Sequence, residues 1–346
     1  DTTQQSVYLQ VGKPMVEACL EGYNTTIFAY GQTGSGKTFT MFGPEKLKNN
    51  NELGCVQRSL SFLFAELNSR KNETKEVTEW KVLLHFVQLY REQLMDLLEP
   101  EKGIALKIRY DPQTDSPYVP NLKQVDVSEL VEVIKLLHIA NRNRVVDKTL
   151  MNAESSRSHM IMTLNIEQTL KDGTVKRSKL NFADLAGSET YEKALGGTRG
   201  SIDRKKVEEL KTINLSLTNL TTCINYLSKG RKASYRSSQL TFYLMDSLGG
   251  NSKTTLVVAA SPHIFNRSET IRTLRFAKTA KSVKNNAKVN KELSKAQLLA
   301  LVKKLKKENK KLKATLALFE AELIKNDIEL PVASDSKKKH KRSKSM

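Results

Sequence analysis

"FAYGQTGSGKTFTMFG", Phe28 to Gly43, decides how this chain is read. An apolar run stops at a glycine, and Gly31, Gln32, Thr33, Gly34, Ser35, Gly36, Lys37 and Thr38 follow in the spacing GxxxxGK[ST]. Glycines let a loop curl so that successive N–H groups face an anion. A lysine there reaches the outer phosphates of a nucleotide, and a threonine hydroxyl suits Mg²⁺. A helix opening at Lys37 would add its positive end. With glycine near 7% of ordinary sequence, a chance match in a chain of this length is on the order of one in a hundred. The segment reads as a phosphate cradle.

A switch also needs a sensor for the terminal phosphate. "LNFADLAGSE", Leu180 to Glu189, places Asp184 at the end of an apolar strand with Gly187 three residues on. Alone such a pair often only caps a turn; beside a cradle it becomes a sensor candidate. A second polar loop, "NAESSRSH" from Asn152 to His159, offers hydroxyls, an amide and an arginine as ligands for Mg²⁺ and an attacking water. A serine-rich turn is its plainer reading. Guanine-specific switches carry NKxD; "NKEL" at Asn290 lacks the aspartate, so ATP is favoured.

Outward from these motifs the chain divides into zones. Strand candidates are Thr26–Tyr30, Trp80–Leu89, Met160–Thr169, Lys179–Ala183 and Thr255–Ala260, alternating with helical candidates Ser6–Leu20, Ser128–Ala140, Val207–Leu227 and Glu269–Lys284. That alternation predicts a layered α/β sheet. The first and last strands are near-continuous apolar runs, expected to be covered on both faces. Leu298, Val302, Leu305, Asn309, Leu312, Leu316, Phe319 and Leu323 then step alternately by four and three, a heptad seam with asparagine at one a position. A parallel pair and a single amphipathic helix packed on the body both fit it. The end, "SDSKKKHKRSKSM", reads as a solvated disordered tail, with a nuclear address as the alternative.

With 346 residues there is room for one large domain and an appendage. The net charge is +20, and the segment from Lys284 onward holds 18 Lys/Arg against 7 Asp/Glu, so tail and body are both basic. An acidic polymer or surface is the expected partner. Cys19, Cys55 and Cys223 are widely spaced, which argues against a disulfide framework or zinc site. No membrane-length apolar run or signal peptide is seen, and a soluble intracellular protein is expected.

Taken together and in order, GQTGSGKT, NxxSSRSH and DLAGSE resemble the kinesin motor domain. The likeness continues through "VQLYREQLMDLL" (Val87–Leu98, similar to that family's strand-turn-helix segment), "NRNRVVDKTLMN", "INLSL" (Ile213–Leu217), "YRSSQLT" (Tyr235–Thr241), "DSLGGNSKTTLVVAASP" and "SETIRTLRFAKTAKSVKN". "VNKELSKAQL" resembles the neck linker of conventional kinesin and Val302–Leu323 its neck coiled coil. The resemblance implies an α/β P-loop NTPase fold with a central, mostly parallel sheet flanked by helices, followed by a neck helix. It implies a motor domain over 1–283, a neck linker over 284–297, a coiled coil over 298–324 and a basic tail over 325–346.

It further implies that Gly31 to Thr38 bind ATP, and that Thr38 and Ser156 hold Mg²⁺. Asp184 and Gly187 would sense the γ-phosphate, while Arg157 and Glu189 close as an ion pair ordering the water site. Catalysis would then rest on positioning and electrostatics. The implied output is plus-end-directed movement of a homodimer on microtubules in the cytoplasm, with no membrane insertion. The implied lattice contacts include Arg204, Lys205, Lys206, Lys211, Arg231, Lys232 and Arg236.

Departures are visible too. Leu215, Gln239 and Phe242 stand where basic residues are usual in that family, and the loop after Glu189 is longer, its "DRKK" a possible replacement. Weaker, salt-sensitive lattice binding is expected. Asp1–Tyr8 resembles a segment inside the usual domain, so the first strand and its adenine contact are expected to be missing. Phe39 reads as a core aromatic before an adenine platform. Two rivals stand beside the motor: a non-motile tether that binds nucleotide without productive cycling, and a nucleic-acid-stimulated ATPase. The second lacks aromatic RNA motifs or helicase-like repeats.

Overall fold

The computed structural model describes residues 2–44, 50–100, 106–146, 157–189 and 204–325, with the backbone alone at 50, 145–146, 204–211, 213, 295 and 324–325. Helix α1 (Gln4–Val7) is capped by the Thr3 hydroxyl, which accepts from the Ser6 amide at 3.1 Å. It runs through a π-wound turn into α2 (Lys13–Leu20). Then come β1 (Thr25–Tyr30), α3 (Lys37–Phe42), α4 (Cys55–Asn72), β2 (Val77–Tyr90), β3 (Gln93–Asp96), β4 (Arg109–Asp111), β5 (Ser116–Tyr118), β6 (Val125–Asp126) and α5 (Leu130–Val146). The second half brings β7 (His159–Leu170), β8 (Val175–Asp184), α6 (Arg204–Leu227), α7 (Gln239–Tyr243), β9 (Lys253–Val258), α8 (Arg267–Ala280), β10 (Lys291–Glu292) and α9 (Lys295–Lys325).

The main sheet runs β3-β2-β7-β8-β1-β9. It is mixed: parallel pairing, expected for most of it, is confined among the described strands to β1 with β8 and β1 with β9. The long β2, β7 and β8 lie antiparallel; a short turn over 171–174 joins β7 to β8, whereas β2 reaches β7 through β3 to β6 and α5. Successive residues of β1 point to opposite faces. Ile27 and Ala29 join one core with Leu60, Leu63 and Leu137; Phe28 and Tyr30 join the other with Leu217, Ile224, Leu240 and Phe276. Helices therefore cover both faces, as a fully buried strand requires.

Two sequence expectations fail here. β9, expected to be covered like β1, is only half-buried, since it ends the sheet and pairs with β1 alone among the described strands. Val87–Leu98 is not strand-turn-helix but a hairpin, with Tyr90 opposite Gln93 and Val87 opposite Asp96. Its two loop residues, Arg91 and Glu92, both take positive φ, at 50° and 60°. That left-handed pair matches the twist of antiparallel strands, but it is normally built from Asn and Gly, so the sequence conceals it.

The chain divides into two compact units, Asp1–Glu292 and Leu293–Met346. Residues 286–292 lie with the first. Asn286 and Asn290 donate backbone N–H groups to Gly250 and Gly22, each at 2.9 Å, and Lys291–Glu292 pair with Val175–Lys176. The second unit holds α9. Ser294 and Gln297 cap it reciprocally, the Ser294 hydroxyl accepting from the Gln297 amide and the Gln297 side chain from the Ser294 amide. Leu298, Val302, Leu305, Leu312, Leu316 and Phe319 are all exposed on it. Residues 326–346, most of the expected tail, lie outside the described residues.

Candidate functional site

β1 delivers the cradle at the end of the sheet where both of its parallel neighbours also finish. Gly36 takes φ 98°, which lets the loop turn directly into α3 with Lys37 as first residue. Lys37 is buried, and its ammonium donates to the carbonyls of Gly31 at 2.9 Å and Gln32 at 3.0 Å. Burial lowers its pKa, opposed by the carboxylates of Asp184 and Glu189. α3 is only six residues long, so the positive end expected of it is weaker than a full helix would supply. The loop N–H groups and Lys37 are the stronger attraction for an anion.

β8 supplies the opposing wall. The Thr38 hydroxyl donates to Asp184 Oδ2 at 2.7 Å, and the Arg144 guanidinium lies 3.9 Å from the same oxygen. Arg144 and Asp184 are both buried. Burial raises the Asp184 pKa, opposed by Arg144, Thr38 and Lys37. Asp184 Oδ1 and Gln32 Oε1 are buried without a hydrogen-bond partner among the described residues. Past Asp184 the chain folds back on the cradle: Ser188 N–H donates to Gly31 O at 3.1 Å, and Glu189 Oε2 accepts from Thr33 N–H at 2.8 Å. The Thr33 hydroxyl donates to Glu189 Oε1 at 2.5 Å. A side chain on Gly187 would collide with the Glu189 carboxylate and the Thr33 hydroxyl, so it would displace the contact that closes the loop.

Lys37, Thr38, Asp184, Gly187 and Glu189 are thus brought together. The hydrogen bonds of Glu189 go to Thr33, not to the Arg157 partner expected for it. Ser156 and the rest of Asn152–Ser156 lie outside the described residues. Phe39 departs from its core reading: it is 50% exposed in the first turn after the cradle, where its backbone carbonyl accepts from Gln4. Two residues to which the sequence assigned no role also stand in the site. Arg144, from the last turn of α5, donates through Nε to Ser158 Oγ at 3.2 Å and through Nη2 to Ser158 O at 2.9 Å. His159, at the start of β7, lies under the loop after Asp184. His159 closes the NAESSRSH loop and Arg144 lies within NRNRVVDKTLMN, but neither motif by itself says what the side chain meets.

Of the basic residues expected to face a lattice, Arg231, Lys232 and Arg236 are exposed. Arg236 stands over the Phe242 ring at 5.3 Å, one of the positions where a basic residue was expected. Arg204, Lys205, Lys206 and Lys211 fall in α6, but their side chains lie outside the described residues. Leu215 is 47% exposed. Glu92 accepts from the Ser238 hydroxyl and the Gln239 amide, so the hairpin tip anchors the start of α7. Among the described residues no helix is long and apolar enough to cross a membrane, and the three cysteines are buried free thiols.

Comparison with known proteins matches the kinesin motor domain model over residues 1–283. This chain belongs to the kinesin family. It is similar to Kinesin-related protein 5 of Dictyostelium discoideum, 42% identical over 313 residues, covering 89% of this chain and 30% of that one. It is equally similar to the kinesin heavy chain of Syncephalastrum racemosum, 42% identical over 326 residues, covering 93% of this chain and 34% of that one. The chain therefore spans about a third of the length of these relatives. A solved fast kinesin, described for its ATPase mechanism and interactions with microtubules, superposes with a TM-score of 0.75 at 39% identity, covering 85% of this chain and 80% of that one. The mixed sheet with helices on both faces, the cradle and the Asp184 loop make up a kinesin motor fold.

Proposed function

We propose that this chain is an ATP-hydrolysing, microtubule-based motor domain. The observation that carries the reading is the closure of the Asp184–Glu189 segment on the cradle, because it joins a sensing loop to a phosphate loop through the Thr38–Asp184 and Thr33–Glu189 contacts. Hard oxygen donors, the Thr38 hydroxyl and the unpartnered Asp184 Oδ1, suit Mg²⁺. Thr38 and Ser156 would hold the ion, which screens phosphate charge when bound. Gly31 to Thr38 would bind the phosphates, with Lys37 leaving its two carbonyls for them. Gly187 would present its N–H to the terminal phosphate, and Glu189 would exchange Thr33 for Arg157 as the water site orders. Each step is positioning or charge stabilisation.

The mechanical reading rests on residues 284–297. Residues 286–292 are held by hydrogen bonds to Gly22, Asn251 and Gly250 and by pairing with β8, contacts that would form and release within a cycle. Released and re-formed, they would swing the chain beyond residue 292 toward the plus end. The 298–324 seam would join two copies in parallel, with Asn309 setting register and Glu308 facing Lys313 of the other helix. A cytoplasmic location on the microtubule cytoskeleton follows from that partner.

The test is steady-state ATP hydrolysis with and without microtubules, beside Lys37→Ala, with DNA and RNA as control polymers. Stimulation by microtubules alone, abolished in the variant, is expected; stimulation by nucleic acid would sink the reading. Gliding of polarity-marked microtubules tests direction. Exposed Leu215 and the Arg236–Phe242 stack favour one second reading, a tether with reduced lattice contact. It expects nucleotide binding without stimulated turnover, and cosedimentation lost at modest salt.

A further inference from the structure

His159 is 1% exposed, and each of its ring nitrogens meets a different element. The Ala186 N–H donates to Nδ1 at 3.0 Å, and Nε2 lies 2.8 Å from Ser216 Oγ. Ala186 stands between Asp184 and Gly187, inside the loop that closes on the cradle. Ser216 is buried on the inner side of α6, next to Leu215 and Leu217. One rigid ring therefore bridges the sensing loop to the helix that carries the basic residues expected to face a lattice.

The ring can make this bridge in one protonation state only. Nδ1 faces an N–H donor and must be bare, so the single proton sits on Nε2 and is donated to Ser216. A second proton would set two donors against each other. Burial, with the Arg144 and Lys37 cations adding to it, pushes the imidazole pKa down to about 3, which keeps the ring neutral. A ring of fixed tautomer, held at both ends, transmits displacement better than a flexible side chain would.

We infer that His159 is a positioning residue that couples the Asp184–Gly187 loop to α6, so that a nucleotide-driven shift of Ala186 is passed through the imidazole to Ser216. The inference rests on the nucleotide-driven reading above and names the linkage inside it. Ser216, on α6, is the end of the linkage opposite Ala186.

The test is hydrogen–deuterium exchange of the full chain, read on peptides of α6 and of residues 184–189, with Mg-ADP and with Mg plus a non-hydrolysable ATP analogue. In the parent protein α6 exchange should differ between the two nucleotides. Ser216→Ala should shrink that difference by about threefold to tenfold, the factor expected for one lost hydrogen bond. Residues 184–189 should still respond, which shows that the variant folds and binds. Ser216→Thr restores the hydroxyl and should restore the difference. His159→Asn keeps an acceptor near Nδ1 but loses the reach to Ser216, so it should match Ser216→Ala, and the double variant should be no worse than either. Additive effects, an undiminished difference in Ser216→Ala, or no difference in the parent protein would each overturn the linkage. Microtubule-stimulated turnover of the same proteins judges the motor reading separately, since an unstimulated parent protein refutes that reading whatever exchange shows.

Discussion

The Asp184 end of the sheet and helix α9 carry their chemistry in opposite ways. At Asp184, groups from separate parts of the chain converge: Lys37 from α3, Arg144 from α5, Ser158 ahead of β7 and Asp184 itself from β8 are buried, and the exposed Thr38 of α3 donates to Asp184. In α9 the informative residues lie along one element and remain exposed. The first region depends on low dielectric, where an unpaired charge is costly and a paired one is held hard. The second depends on repetition, where each residue adds a small increment that only a partner helix collects. One is broken by a single atom and the other by degrees.

The sharpest way to break the first region is Asp184→Asn, which keeps the shape and removes the charge. Turnover should fall by on the order of 10²–10³-fold, with the fold retained by circular dichroism. Near-normal turnover would remove Asp184 from the proposed machinery. Arg144→Met comes next. It leaves the Asp184 carboxylate and the Ser158 carbonyl without their cation, and denaturant melts should show a loss of about 3 kcal/mol. A loss below about 1 kcal/mol would mean that the pair is only incidental.

Elsewhere in the buried body, acid probes the same contrast. His85 donates to or accepts from the Tyr243 hydroxyl at 3.2 Å, and burial with nearby Lys179 takes its pKa down to about 4. The unfolded chain gains that proton near pH 6.5, the folded one only near 4. Stability present above pH 6.5 is therefore lost as pH falls through this window, by up to about 3 kcal/mol for this one group. Denaturation from about pH 7 to 4 should show the slope, and His85→Asn should reduce it by about half, the buried His159 supplying a comparable share; an unchanged slope would assign the loss to other groups. The smallest effect belongs to α9. Leu312→Lys should weaken self-association by roughly 2 kcal/mol, about thirtyfold in Kd by sedimentation, while leaving the body's melt unchanged. Unaltered self-association would place the interface off this seam.

The errors of the sequence reading have a common source. The meeting of Lys37, Thr38 and Asp184 is legible because these residues sit in short spacings that depend on local backbone geometry. That of Arg144 and His159 is not, because their importance arises from neighbours far along the chain, such as Ser216 for His159. The Tyr90–Gln93 hairpin was hidden by Arg91 and Glu92, residues that rarely take left-handed backbone but are held there by pairing on either side. Phe39 differs for a related reason: its aromatic ring suggests burial, but its place in the first turn of α3 leaves it exposed.

What the sequence determined by itself was the family, the glycine-rich loop ahead of Lys37, the strand that ends at Asp184 and the period of α9, since each is a pattern repeated or closed within a few residues. Only the tertiary structure decided that β9 ends the sheet, that Glu189 meets Thr33, that Arg144 neutralises Asp184 and that His159 links Ala186 to Ser216. Burial, dielectric and hydrogen-bond direction belong to the packed neighbourhood of a group, and that neighbourhood exists only once the chain has folded.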